Sequence, residues 1–334
     1  MIDGTFDLLG VGGALIDIFS CVPNDFLVQE GLPKASMRLA DLEEVDRLRS
    51  LTGPNIEVSG GCSANTCVGM RALGSNVCFV GKVADDVLGT VFRENLLQHG
   101  VFFDTRANPG PPYTGRCNVL VTPDAERTMV TCLGASMHLT PDDISEEMVA
   151  KSGIVLTEAY LFDVPAADEI MRKIISVASS TGSRLAVGLS AASCVDRWRG
   201  NLLGLIRNGL ADIIFCNRDE LLALYQTDDL VSAISCLKEE KSLAVVTLSD
   251  KGALLISQGN VSLVPAYKAD CIVDCTGAGD FFAAGFLYGE ARGMPHVRSV
   301  FLGHIMAAEV IGQIGTRPST ADLVRSIQRR GFTL

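Results

Sequence analysis

The sequence predicts an α/β protein: a doubly wound, mostly parallel sheet flanked by helices, with a smaller β-sheet beside it. Three observations lead there. From Ile154 onward, buried strand runs ("GIVLTEAYL", "RLAVGLS", "ADIIFCN", "LAVVTLS") alternate with helical runs such as "AADEIMRKIISVASSTG" and "WRGNLLGLIRNGL". This is the pattern of parallel strands joined by crossover helices. Near the N-terminus, "FDLLGVGGALIDIF" is an apolar strand run broken by Gly12 and Gly13, so a buried first strand ends in a turn. Between Gly115 and Cys132 the alternation stops, and "GRCNVLVTPDAERTMVTC" reads as two strands around the turn "PDAE". That hairpin pairs with the polar excursion that ends near Gly60 to make the small sheet.

The remaining elements follow in order. "SANTCVGMRALG" has helical spacing through Ala64, Val68 and Leu73, with Gly74 as its stop, and "NVCFVGKV" is another buried strand. A helix starts at Asp219, and "GALLISQG" is a late strand. Ligands of such sheets bind beyond the carboxyl ends of the strands.

Composition narrows the function classes. At 334 residues and 48% hydrophobic content the chain can bury one large core or two unequal ones. Its 28 Lys plus Arg against 39 Asp plus Glu, a net charge of −11, argue against a nucleic-acid binder that needs a broad basic surface. The eleven cysteines form no CxxC pair, the nearest approaches being "CSANTC" and "CIVDC", and they read as reduced thiols rather than a zinc site. "MIDGTFDLLG" is acidic where a signal peptide is basic, and no apolar run reaches the roughly 18 residues of a membrane span. A cytoplasmic location, with no membrane partner, is expected.

The stretch "DCTGAGD", Asp274 to Asp280, directly precedes the apolar helical run "FFAAGFLYG". Gly277, Ala278 and Gly279 place small residues where that helix begins, so free N–H groups and the helix dipole point at an anion. Asp280 falls in the first turn, beside any such anion. A carboxylate there is unfavourable for binding alone, but it suits removal of a proton from an attacking hydroxyl. An aspartate that merely favours a helix N-terminus explains the same position.

This stretch resembles the C-terminal signature of the PfkB, or ribokinase-like, carbohydrate and nucleoside kinases. Asp274, Thr276, Gly277, Ala278, Gly279 and Asp280 match, with Cys275 where threonine is usual. Other signatures follow in family order: "GGCSANTCVGMRALG" from Gly60 to Gly74, then "VGKVADD" with Gly81, Asp85, Asp86 and Gly89, then "NRDE" from Asn217 to Glu220, then "VVTLSDKGALL". The resemblance spans Leu8 to about Pro318.

It implies a ribokinase-like fold in one kinase chain, with a main α/β domain at approximately 1–15, 61–111 and 137–334 and a lid at approximately 16–60 and 112–136. It implies transfer of the γ-phosphate of ATP, with Mg²⁺, to a hydroxyl of a small-molecule acceptor. It also brings a monovalent cation, K⁺, into consideration. Asp280 is then the base, with Gly277, Ala278 and Gly279 cradling the developing charge and Asp274 supporting the turn. Gly60, Gly61, Asn65 and Ser190 bind substrate. Asn217, Thr247, Ser249, Gly252 and Thr276 serve the nucleotide, and Glu220 holds the metal mostly through water.

For the acceptor, Asp17 falls where ribose-binding members take hydrogen bonds from two vicinal hydroxyls. "GLSAASCVDRWR" is similar to the "LSAPF" segment of adenosine kinases, with Ala192 in place of the proline, and the hairpin is similar to lid strands of adenosine-kinase-like bacterial members. The order of expectation is adenosine, giving AMP, then a sugar such as ribose or fructose, then a non-catalytic nucleotide-binding protein. Candidates for an apolar slot are Phe19, Leu39, Cys132, Leu133 and Phe162. Arg127 reads as a phosphate or lid contact, although it and Arg116 also suit solvated hairpin charges. Arg71, Arg93 and Lys82 read as solvated, Trp198 as packing or capping a helix, and the four histidines as non-catalytic. Monomer and homodimer both stay open.

Overall fold

The computed structural model describes residues 4–53 and 56–333. Among them the strands run, in chain order, β1 (Phe6–Val11), β2 (Leu15–Cys21), β3 (Met37–Leu39), β4 (Ile56–Gly60), β5 (Val77–Val80), β6 (Thr114–Val121), β7 (Arg127–Gly134), β8 (Ser152–Glu158), β9 (Arg184–Gly188), β10 (Ile213–Asn217), β11 (Leu243–Thr247), β12 (Ala253–Ser257) and β13 (Asn260–Val264). The larger sheet has the order β13-β12-β11-β10-β9-β8-β1-β5. Its strands from β5 to β11 are parallel, and β12 and β13 add an antiparallel edge.

Strands such as Val77–Val80 are buried at every position, because helices cover both faces. On one side Leu8, Phe79 and Phe215 pack with the helices Cys62–Ala72, Ala278–Ala291 and His296–Val310. On the other, Leu9, Val155 and Ile214 pack with Ala167–Thr181, Ala192–Arg207 and Arg218–Tyr225. The helices Ala278–Ala291 and His296–Val310 touch backbone to backbone. A Cβ on Gly285 would stand 2.8 Å from Gly303.

The chain leaves β1 through Gly12 and Gly13 and enters a five-stranded second sheet of order β3-β7-β6-β2-β4. The period-2 alternation of β2 gives this sheet two unlike faces. Ile16 and Ile18 go into the main core with Phe92, and Leu120 and Val130 meet Leu27, Val45 and Leu48. Asp17 and Phe19 point the other way, with Cys117, Val119 and Val121, towards Ile314 and Gly315. The parallel sheet, its helices, the hairpin β6–β7 and the second sheet match the sequence expectation. No helix among the described residues is long and apolar enough to cross a membrane. All eleven cysteines are unpaired.

One expected surface charge is buried. Lys82 Nζ lies 2.5 Å from Asp143 Oδ1, and the two side chains are only 11% and 8% exposed. Asp143 also takes the Thr140 N–H and hydroxyl, so this carboxylate anchors a turn as well as the ammonium. Arg71 caps the carbonyls of Gly100 and Ser75, and Arg93 those of Phe103 and Thr105, so neither is simply solvated. Arg116 pairs with Asp46 at 2.5 Å. Trp198 stands at a kink in its helix and donates to Asp163 at 2.7 Å.

Removing one member of a buried pair leaves the other charge uncompensated. Asp143→Ala is therefore expected to lower stability by about 3 kcal/mol, and Lys82→Met added to it to recover much of that loss, as read from urea midpoints.

Candidate active site

At the carboxyl edge of the larger sheet, β8, β9, β10 and β11 meet the N-termini of the three helices Cys62–Ala72, Arg218–Tyr225 and Ala278–Ala291 around a pocket of about 140 Å³. Glu158, Ser190, Asn217, Glu220, Thr247 and Asp280 line it. Its floor is the start of Ala278–Ala291. Gly277 caps that helix at φ 79°, a left-handed conformation natural to glycine, and a Cβ there would press on Thr316 at 2.8 Å. Buried Asp274 fixes the turn. One oxygen accepts the Thr276 N–H (2.9 Å) and hydroxyl (2.6 Å), and the other accepts the Gly315 N–H (2.9 Å). Thr276, expected at the nucleotide, thus has its hydroxyl committed to Asp274.

Among the cradle amides, the Ala278 N–H turns back to the Cys275 carbonyl at 3.4 Å, whereas those of Gly277, Gly279 and Asp280 have no acceptor among the described residues. A Cβ on Gly279 would meet nothing within 4 Å, so these amides border open space. The free amides therefore include the two glycines and extend to Asp280.

Asp280 Oδ2 accepts from Asn65 Nδ2 at 2.8 Å, and the Thr66 hydroxyl ties the Asp280 carbonyl at 3.1 Å. Burial pushes the Asp280 carboxyl above the ordinary aspartate range, against the pull of Asn65, the Cys62 thiol, Arg127 and Arg317. Asp17 lies buried on β2, over Gly60. A Cβ on Gly60 would fall 2.2 Å from the Asp17 carboxyl carbon, so only glycine admits the carboxylate there. Burial pushes Asp17 to about 7, opposed by Arg317 and reinforced by Asp280 and Asp274. Gly61, at φ 101°, packs on the Gly13 carbonyl where the two links between the sheets cross. Glu158 pins both links, accepting from Gly13 N–H (2.9 Å) and Ser63 N–H (2.8 Å).

On the other flank, Asn217 and Glu220 form a reciprocal helix cap. Asn217 Oδ1 takes the Glu220 N–H at 2.9 Å, and Glu220 takes the Asn217 N–H at 3.0 Å and side-chain amide at 2.7 Å. Glu220 also lines the pocket, and burial pushes it to about 7. Ser190, at φ 69°, takes the Ala159 N–H at 3.2 Å. Ser249 and Gly252 do not line the pocket. Gly252 is held at φ 104° at the neck of the β12–β13 hairpin, where a Cβ would strike the Val264 carbonyl.

Among the apolar candidates, Phe19 and Leu133 lie on the side of the small sheet that carries Asp17. Leu39 shares that side by register but is exposed on the edge strand β3, whereas Phe162 lies beside Trp198 across the larger sheet and Cys132 packs on the helix-covered face. Three groups were not singled out from the sequence: Glu158 and Cys62, which line the pocket, and Arg317, which lies behind it on Asn65 and Ser59. Glu158 had a signal, a lone carboxylate ending an apolar parallel strand. Cys62 had only its place at the start of a helix, and Arg317, in "IGTRPS", had none.

This fold, with a helix N-terminus open to an anion and a buried carboxylate beside it, defines a phosphotransferase that uses a hydroxyl acceptor. The chain belongs to the pfkB family of carbohydrate kinases, whose family model matches residues 27–323. Its fold is similar to that of adenosine kinase from Sinorhizobium meliloti, at 40% identity and TM-score 0.93 over 96% of this chain and 99% of that one. It is also similar to a probable sugar kinase from Rhizobium etli, at 39% identity and TM-score 0.95 over 98% and 99%. Fructokinase from Klebsiella pneumoniae is 28% identical over 85% of this chain and 96% of its own length.

The raised Asp17 has a sign to test. A carboxyl whose folded pKa lies above its unfolded value supports the fold below about pH 4, and that support is lost as pH rises through 7. Asp17→Asn is therefore expected to raise stability at pH 8 by on the order of 2 kcal/mol, with the gain vanishing towards pH 4, as measured by denaturant midpoints across that range.

Proposed function

We propose that this kinase transfers the γ-phosphate of ATP to the primary hydroxyl of a purine nucleoside, adenosine before others, giving AMP. The observation that carries the acceptor assignment is the site-facing side of the small sheet, where Asp17 adjoins an apolar strip of Phe19, Val58, Val119, Val121 and Met129. The carboxylate accepts from two vicinal ribose hydroxyls, and the strip shields a flat, weakly polar base. A free sugar, with hydroxyls on every side, leaves such a wall unmatched. The likeness to an adenosine kinase at 40% identity supports the same choice, while the fructokinase relative supports a sugar acceptor.

In this reading the small sheet, approximately 16–60 with 112–136, is a lid that closes over the acceptor and keeps water from the phosphoryl group. Asp280 takes the proton of the attacking hydroxyl. The N–H groups of Gly279 and Asp280, at a helix N-terminus, hold the developing charge. Arg127, half-buried on β7 with its charge facing Asp280 and Cys275, adds a cation from the lid. The oxygens of buried Glu220 and exposed Asn217, both on the pocket wall, fit Mg²⁺, a hard cation that keeps its waters, so these two residues would hold it mostly through water. Bound there, it would neutralise charge on the ATP phosphates. Asp280, the amides and Glu220 together argue against a protein that only binds nucleotide.

Asp280→Asn is expected to keep the fold and the KM for ATP and to lower kcat by a factor of about 10² or more. ADP release with ATP and a panel of nucleosides, ribose and fructose checks both parts. Near-normal turnover in the variant sinks the base assignment, and release with fructose or ribose but no nucleoside sinks the acceptor.

A further inference from the structure

Arg317 stands where three parts of the molecule meet. Its Nη1 donates to Asn65 Oδ1 at 2.7 Å, to the Thr316 carbonyl at 2.7 Å and to the Thr316 hydroxyl at 2.8 Å. Its Nη2 donates to the Ser59 carbonyl and, at 2.7 Å, to the Ser59 hydroxyl. Nε reaches Asn95 Oδ1 at 3.4 Å, which also accepts from the Ser59 hydroxyl at 2.5 Å. Ser59 is fully buried on β4, one residue before the Gly60–Gly61 link.

Asn65 is buried and has two unlike ends, an acceptor oxygen and a donor NH₂. With its oxygen held by the guanidinium, its NH₂ must face Asp280. Turned over, the amide would set an oxygen against the Asp280 carboxylate and an N–H against a cation. Arg317 therefore determines which end of Asn65 the carboxylate meets, and the same guanidinium grips the strand that leads into the small sheet.

We infer that Arg317 is a positioning residue for phosphoryl transfer: it fixes the Asn65 amide so that Asp280 is held in the orientation of a base, and it ties the β4 strand of the small sheet to that arrangement. The inference rests on the reading of Asp280 as the base. The groups facing Asp280 are the Cys62 thiol from the helix Cys62–Ala72, Arg127 from β7, Asp17 from β2, Glu158 from β8 and Arg317 itself. Arg317 is thus one of two cations acting on a carboxylate that has two acidic neighbours. Its loss moves the protonation of Asp280 to higher pH as well as loosening its orientation.

The test compares the full chain with Arg317→Met, Arg317→Lys and Asp280→Asn. It measures kcat and KM across pH with ATP and whichever panel acceptor is turned over, together with Tm. Arg317→Met is expected to lower kcat by about 10²-fold, with the KM for ATP changed less than about twofold and the acid limb of the kcat profile moved to higher pH. Arg317→Lys keeps the charge but not the fork, so it returns the limb towards the parent position while kcat stays about tenfold down. If Asp280→Asn is inactive while both Arg317 variants keep the parent kcat and acid limb, this inference is overturned and the base assignment stands. Near-normal turnover of Asp280→Asn overturns the base assignment instead. Should Arg317→Met fail to fold, Arg317→Lys decides: parent-like kcat overturns the inference. A lower Tm with an unmoved acid limb and unchanged kcat also overturns it, because that is what a purely structural arginine produces.

Discussion

Asp274 joins two segments that the site needs side by side. Its carboxylate holds the turn before the helix Ala278–Ala291 with one oxygen and the Gly315 N–H, 41 residues away, with the other. Because the group is fully buried, each of these hydrogen bonds replaces water it has lost, and leaving one unmade carries the full desolvation cost. The junction sets where the helix begins, and so where its free amides and Asp280 point. It also carries Thr316 and Arg317 to the base: Gly277 has no room for a Cβ because Thr316 lies against it, and Arg317 follows directly in the chain.

Around that junction charge is balanced by a short supply of cations. Asp17 and Glu220 are both pushed to about 7, and Arg317 is drawn down to about 10. The cause is the same in each case, burial that disfavours the charged form, and partners only partly offset it. Asp17 has Arg317 nearby but makes no direct contact with it, and Glu220 is met by the amides of Asn217 rather than by a cation. These carboxylates are acceptors in need of donors. Under the proposed function, vicinal hydroxyls at Asp17 and a hydrated cation at Glu220 would supply what each lacks, and their binding would then draw a proton off the site near neutral pH.

The sheet and its helices were legible because they depend on local pattern: strand runs buried on both faces, helical spacing, and Gly74 as a stop. "DCTGAGD" was legible because a helix start with small residues does its work through backbone amides, which any reader of the chain can place. What escaped depends on contacts between distant residues. Lys82 reads as solvated until Asp143, 61 positions on, is folded against it. Arg317 is a lone cation in a Gly-Pro loop until the Asp274 junction sets it beside Asn65, 252 residues earlier. Phe162 has the right residue type on the wrong side of the larger sheet. Gly252, expected at the nucleotide, is accounted for by the neck of a hairpin whose second strand the alternation rule does not anticipate.

The phosphoryl end and the acceptor end of the site are built by different physics, and this is why one motif announces the reaction and is silent about the substrate. At the helix N-terminus the work is done by amides and a dipole that any acceptor can use. At the small sheet it is done by register. Asp17 and Phe19 face the site because they alternate with Ile16 and Ile18, which face the core. A slip of one residue in β2 would exchange the two sets, putting isoleucines on the site-facing side and a carboxylate into the core, which fixes the register strongly. The pairing also brings Gly60 opposite Leu15, so that the Asp17 carboxylate lies in the space a side chain on Gly60 would fill. Under the proposed function, specificity for the acceptor would therefore reside in three choices that no single motif contains: a carboxylate in β2, a glycine at the end of β4, and the apolar side chains of Cys117, Val119 and Val121 at alternate positions of β6.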